Sequence, residues 1–160
     1  MPIYMNYNSL AVKGDVTATG WENWIELTSF QFGVGRGISS PTGGSADRES
    51  SAPSISEITV VKDQDSSTGP LLTAALQGEG VDVEINFVKT SQGQLTKYMA
   101  YKLTNTMISG WSTSSGSDRP TESVSLNFTK FEVDPTTIDA AGSISNANPV
   151  TYDVGLAKVV

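Results

Sequence analysis

Asp82 and Glu84 stand two residues apart in "VDVEINF", as do Glu132 and Asp134 in "FEVDP". On a strand this spacing puts both carboxylates of a pair on one face, and paired carboxylates are what a glycosidase uses. The same pattern belongs to any solvated strand face, which is the reading adopted for both pairs. "DQDSST", residues 63–68, opens like a calcium loop. It carries Thr68 where that loop needs glycine and Ala74 where it needs a glutamate, so a turn and helix cap fit better. "GVGRG", residues 33–37, begins like a phosphate-binding glycine pattern, but Ile38 replaces the third glycine and no Lys-Ser pair follows. Small residues there let another backbone come close. Trp21, Trp24 and Trp111 offer either a sugar-stacking platform or core and interface packing. The chain has no histidine and no cysteine. That excludes a Ser-His-Asp triad, His-based zinc and iron sites, thiolate chemistry and disulfides. No catalytic residue, metal ligand or cofactor is assigned.

Composition points away from several partners as well. The 160 residues carry 38% hydrophobic and 17% charged side chains, a globular balance and enough chain for one domain with a real core. Ser (21) and Thr (17) are abundant, which suits strands and turns better than helices. Net charge is −7 with pI near 4.4, and the ten basic residues are scattered singly. Nucleic-acid binding is disfavoured, because it needs clustered Lys and Arg. No basic amphipathic stretch or apolar run of about 20 residues suggests a membrane. The N-terminal "MPIYMNYNSLAVKGD" lacks the charged and apolar regions of a signal peptide, so the chain is expected to begin in the cytoplasm.

The elements that must position these residues read mainly as strands. In residues 24–36, Ile25 and Leu27 have one parity and Phe30, Phe32 and Val34 the other, so a bulge or bend near Thr28-Ser29 is expected. A long Gly/Ser/Pro loop covers residues 37–54, and loops of this length are usually functional or disordered. A strand follows over 55–62, then a short helix over about 68–78, with Pro70 in its first turn and Gly78 or Gly80 ending it. Val81, Val83, Ile85 and Phe87 alternate with polar residues, as do Met99, Tyr101 and Leu103, and Val124, Leu126 and Phe128. Gly110 to Thr121 reads as a connector, and Phe131 and Val133 switch parity at a second bulge near Lys130. The tail, 135–160, ends in a turn and a last strand. The fold class is mainly β: a two-sheet antiparallel β-barrel or sandwich with one short flanking α-helix, as a single domain over 1–160.

Four segments carry a resemblance over nearly the whole chain: "WIELTSFQFGVGRGIS", "DRESSAPSISEITVVKDQDSST", "KLTNTMISGWSTSSGSDRPTESVSLNFTKFEV" and "VTYDVGL". In this order they resemble the hemolysin-coregulated protein (Hcp) family, the inner-tube component of bacterial type VI secretion systems. The resemblance implies a squat barrel, a homohexameric ring with a hollow lumen, and rings stacked into a tube. It further implies a contractile sheath around that tube, a spike protein of the VgrG type at its tip, and small effector proteins as cargo. No enzymatic activity follows from it. Export through the apparatus would take the protein from cytoplasm to exterior without a signal peptide.

The resemblance places Ser29, Gln31 and Gly33 on the lumen-facing strand, with Gln31 the leading cargo contact. Loop residues Ser39, Ser40, Arg48 and Glu49, together with Asp118, Arg119 and Glu122, are candidates for ring stacking or subunit contacts, with solvated loop charge as the alternative. Three rivals stand beside this reading: a monomeric carbohydrate-binding sandwich, a phage-type tail tube protein, and a two-carboxylate glycoside hydrolase.

Overall fold

The structure, a computed structural model, describes residues 1–39, 50–141 and 143–160. In chain order the elements are β1 (Ile3–Tyr7), β2 (Ile25–Leu27), β3 (Ser29–Gln31), β4 (Val34–Gly35), β5 (Ser54–Ile55), β6 (Ile58–Asp63), α1 (Thr68–Gln77), β7 (Val81–Ser91), β8 (Gln94–Ser114), β9 (Thr121–Asn127), β10 (Lys130–Ile138), β11 (Ile144–Asn146), β12 (Val150–Asp153) and β13 (Lys158–Val159). All paired strands run antiparallel.

Two sheets share the long strand β8. Its first part lies in a large sheet ordered β13-β12-β10-β8-β7-β1-β2. From Met107 onward it pairs with β9 instead, in a small sheet ordered β3-β6-β9-β8. The chain crosses between the sheets at three corners. Thr28 separates β2 from β3, Phe128 and Thr129 separate β9 from β10, and Asn105, with φ of 52°, precedes the crossing within β8. Two corners are pinned by threonine: Thr28 donates its N–H and its hydroxyl to Val61 O (2.7 and 3.1 Å), and Thr129 does the same to Thr104 O (3.1 and 3.4 Å). The parity shift at Thr28, expected as a bulge or bend, is the first of these corners, and the one near Lys130 is a corner rather than a bulge. A strand that changes sheet must also change which side chains face inward.

Between the sheets lies one apolar cluster, with Met5, Ile25, Leu27, Val83, Ile85, Leu103 and Phe131 from the large sheet and Ile58, Val60, Ile108, Val124 and Leu126 from the small one. Phe30, Phe32, Phe87, Tyr101, Phe128 and Phe131 form a chain of edge-to-face and tilted ring contacts at 4.7–6.2 Å through it. Val34, expected inside with Phe30 and Phe32, is exposed on β4. Leu71 of α1 is fully buried in the same cluster, with Ala74 and Ala75 packed against it.

The helix is held by a buried polar network. Lys62 and Glu122 lie directly opposite each other on β6 and β9, on the core side, at 0% and 1% exposure. The Lys62 ammonium meets three acceptors: Glu122 Oε1 (3.0 Å), Asp65 Oδ1 (3.0 Å) and Asp63 O (2.9 Å). Glu122 Oε2 accepts from Thr68 Oγ1 at 2.6 Å, and Asp65 Oδ1 accepts from the Ser67 N–H at 2.8 Å. Residues 63–68 thus form the turn that their sequence suggested, but Ser67 at the helix start makes no side-chain cap bond. Every donor on the ammonium is used, which is the condition under which a buried charge is tolerated.

Four expectations are corrected. Residues Gly110 to Ser114 are strand, paired with Thr121 to Ser125, so the connector shrinks to 115–120. Small hydroxyl side chains sit as readily on a pleated surface as in a turn. The strand expected over 55–62 breaks at Ser56-Glu57 into β5 and β6. The described ends of the 37–54 loop are zipped together by Val34–Ile55, Gly35–Ser54 and Ile38–Ser50 pairing. The tail holds a short strand, β11, and a β12–β13 hairpin in place of one last strand.

Two measurements check the packing. Glu122→Ala should lose about 3–5 kcal/mol in urea denaturation, because it strands a buried ammonium, whereas Lys62→Met combined with Glu122→Leu should recover most of that loss. Burial raises the phenol pKa of Tyr7 and Tyr101, and burial followed by the Glu26 carboxylate raises that of Tyr4. The folded state therefore favours the neutral phenols. Their contribution is fully present below the unfolded value of about 10 and is lost as pH rises through the higher folded values. Tyr7→Phe should make the alkaline fall in stability shallower.

Candidate functional site

The outer faces of the two sheets differ in kind. On the small sheet, Ser29, Val61, Ser123 and Ser112 form one row across four strands, and Gln31, Thr59, Ser125 and Gly110 the next. Neither row carries a charge. Asp63 borders this face at one end, beside Thr121 and Ser114, and Glu57 at the other. On the large sheet the rows are ionic. One runs Asn6, Glu84, Lys102, Glu132, Thr151, and another Thr104, Lys130, Asp153, Lys158. Asp82, Glu84, Lys102, Lys130 and Glu132 line an open cleft there of about 350 Å³. Asn86 donates to Glu84 Oε1 and accepts from Trp21 Nε1, both at 3.1 Å.

The expected lumen residues come together. Ser29 and Gln31 are exposed on β3, at the edge of the small sheet. Gly33 follows them and is tied to Ser56 by one side-chain and one backbone bond: Gly33 N–H donates to Ser56 Oγ at 2.8 Å and Ser56 N–H donates to Gly33 O at 3.0 Å. The charged candidates do not join them. Asp118 and Arg119 occupy the exposed turn between β8 and β9, and Arg119 lines a second cleft with Asp15, Glu26, Thr28, Asp63 and Asp65. Ser39 ends the described part of its loop, and Ser40, Arg48 and Glu49 lie outside the described residues. Glu122 is a correction: inside the protomer and bound to Lys62 and Thr68, it is not a surface charge.

Sequence reading missed part of the uncharged face. Thr59 and Val61 alternate with inward Val60, and Ser112 with Trp111, which is the signal that would have found them; Ser123 and Ser125 already read as facing away from the core beside Val124. Trp21 lies on Tyr4 (6.1 Å between ring centroids) outside the large sheet, while Trp111 packs against the core from the small one, so these two make no common platform. Among the described residues no group of three or more acidic side chains is arranged to hold a metal ion.

A model of the family described as "Type VI secretion system effector, Hcp" matches residues 4–134. The chain belongs to the Hcp family. Among solved structures, one described as a type six secretion system protein superposes with a TM-score of 0.88 at 21% identity, covering 99% of each chain. Hcp1 from Salmonella typhimurium gives 0.75 at 17% identity, covering 99% of this chain and 98% of its own. A type VI secretion system effector from Yersinia pestis gives 0.72 at 18%, covering 95% and 99%. No curated protein matches in sequence. β11 to β13 lie beyond the family match.

If the uncharged rows are a true outer surface, charge is tolerated there. Ser29→Glu and Ser112→Lys should each change unfolding free energy by less than about 0.5 kcal/mol, whereas Val124→Asp, one residue away in parity, should abolish folding, as read by circular dichroism.

Proposed function

We propose that six copies of this chain close head-to-tail into a ring in which the small sheets join edge to edge. Such rings then stack as the inner tube of a type VI secretion apparatus. The observation carrying this reading is that the small sheet has two open edges flanking an uncharged face. Among the described residues β3 pairs only with β6, and β8 from Met107 to Ser114 pairs only with β9. Unpaired edges present ready hydrogen-bond donors and acceptors. Joining one protomer's β8 edge to the next protomer's β3 edge is a heterologous contact, and heterologous contacts close into rings when the rotation allows.

In that ring the Ser/Thr/Gln rows line the hollow. A wall of small neutral side chains holds passing proteins weakly, since each polar contact contributes about 1 kcal/mol net. The ionic face of the large sheet then turns outward, where a contractile sheath would surround the tube and a VgrG-type spike would tip it. Effectors ride inside, and contraction delivers tube and cargo out of the cell. Ser39, Ser40, Arg48, Glu49, Asp118 and Arg119 are assigned to contacts between rings or subunits. The chain does no chemistry in this role.

Met107 is 49% exposed at the start of the open β8 edge, an apolar residue suited to the seam. Light scattering of the purified protein should show a species of roughly 100 kDa, six times the chain mass, and negative stain should show annuli. Met107→Glu should shift mass from ring to protomer without moving the denaturation midpoint. A lone protomer for the parent at every concentration sinks the ring.

A further inference from the structure

Among the described residues, Glu57 is the carboxylate at the border of the uncharged face that faces no cation. Asp63, at the opposite border, shares its cleft with Arg119. Glu57 shares a cleft of about 450 Å³ with Gln31, Phe32, Gly33, Thr59 and Ser125, and no Lys or Arg among the described residues lines it.

The carboxylate is also aimed. β8 slips register against β9 between Ile108 and Gly110, which leaves Ser109 as the bulged residue. Bulges re-aim side chains and gather near functional sites. Here the Ser109 hydroxyl donates to Glu57 Oε2 and also lies 3.3 Å from Ser125 O. From the other side, Ser56 ties the backbone of Glu57 to the edge: its hydroxyl donates to Glu57 O at 3.2 Å and accepts from Gly33 N–H at 2.8 Å. Glu57 is thereby bracketed between the β3 edge and the β8 bulge. Its Oε1 receives no hydrogen bond from a described residue, and the side chain is exposed.

We infer that this cleft recognises an arginine side chain on the polypeptide that the ring carries. A guanidinium presents five N–H donors in a planar fork and never loses its charge. The cleft offers matching acceptors in Glu57 Oε1, the Gln31 amide oxygen, and the Thr59 and Ser125 hydroxyls. A charge-assisted bond to the single carboxylate selects among cargoes, while the neutral rows contribute contact without selectivity. The inference rests on the ring reading for the identity of the ligand as cargo, but the chemistry of the cleft belongs to one protomer.

The test uses two labelled pentapeptides, Gly-Gly-Arg-Gly-Gly and its citrulline counterpart, which keeps the shape and drops the charge. Titrations followed by NMR shifts give the ratio of their affinities for the full chain. The parent protein should prefer the arginine peptide by about tenfold. Glu57→Gln should bring the ratio near one. Glu79→Gln, which removes an exposed carboxylate beyond α1, should leave it unchanged. A ratio that survives Glu57→Gln overturns the proposal, and so does one that Glu79→Gln lowers equally, because bulk negative charge then explains it. Negative-stain images of the same samples separate the two readings. Arginine preference without annuli keeps the cleft and removes the lumen; annuli without preference keep the tube and remove the cleft.

Discussion

A strand cannot leave one sheet for another without exchanging its inward and outward side chains, and this barrel is built on that constraint. Three crossings do it: at Thr28, between Thr106 and Met107, and at Phe128-Thr129. Each releases the chain from one hydrogen-bond ladder and starts another, and the bonds from Thr28 and Thr129 to Val61 O and Thr104 O satisfy groups that would otherwise be left over. Because β8 serves both sheets, the large and small sheets cannot slide independently. Their cores merge into one cluster while their outer faces point apart, so the same 160 residues present an ionic surface and a neutral one. A flat sheet with the same strands would have only one face free of the core.

The end of the barrel under α1 is secured differently. The helix TGPLLTAALQ has no charged residue, no acidic group in its first turn and no basic group in its last, and Ser67 makes no side-chain cap bond to it. Its ten residues are too few to be stable alone. Leu71 supplies the apolar anchor, and Thr68, bonded to Glu122, joins the helix start to the Lys62 ion pair. A buried ion pair is weak evidence for net stability, since an apolar pair of the same volume would serve as well. What it supplies is a fixed position, because three acceptors around one ammonium leave a single arrangement of β6, β9 and the helix start.

Legibility in the sequence followed from how local each signal was. The helix bounds were readable because Pro70 and Gly78 act within one turn of themselves. The parity breaks at Thr28 and before Phe131 were readable too, since they disturb a period of two over a few residues; only the partner strands showed that they are changes of sheet. The hydroxyl-rich stretch after Gly110 gave no such signal, because serine suits turn and strand alike, and its pairing is decided by β9. Glu122 reads as a ring or subunit contact, or else as solvated loop charge, for the same reason: without knowing that β9 starts at Thr121, the alternation through Val124 and Leu126 could not be run back to it. Lys62 shares the parity of Ile58 and Val60, so its inward direction was written in the sequence, but the Glu122 carboxylate that faces it from β9 lies 60 residues away.

The two outer faces suit opposite kinds of contact, and the reason is energetic. On the large sheet, Lys102 sits between Glu84 and Glu132 in cross-strand register, so a partner must match alternating charge, which fixes register more than it adds affinity. On the small sheet the neutral rows impose no such pattern, and a surface like that releases what it holds. On the proposed reading, one carboxylate per protomer changes this without making binding permanent. In a closed ring of six, Glu57 would recur six times around one circumference, and a cargo with two or three suitably spaced cations would gain by effective concentration at each further contact. Affinity would then depend on the number and spacing of cations in the cargo, which sequences can vary freely, while the tube wall stays the same for all of them.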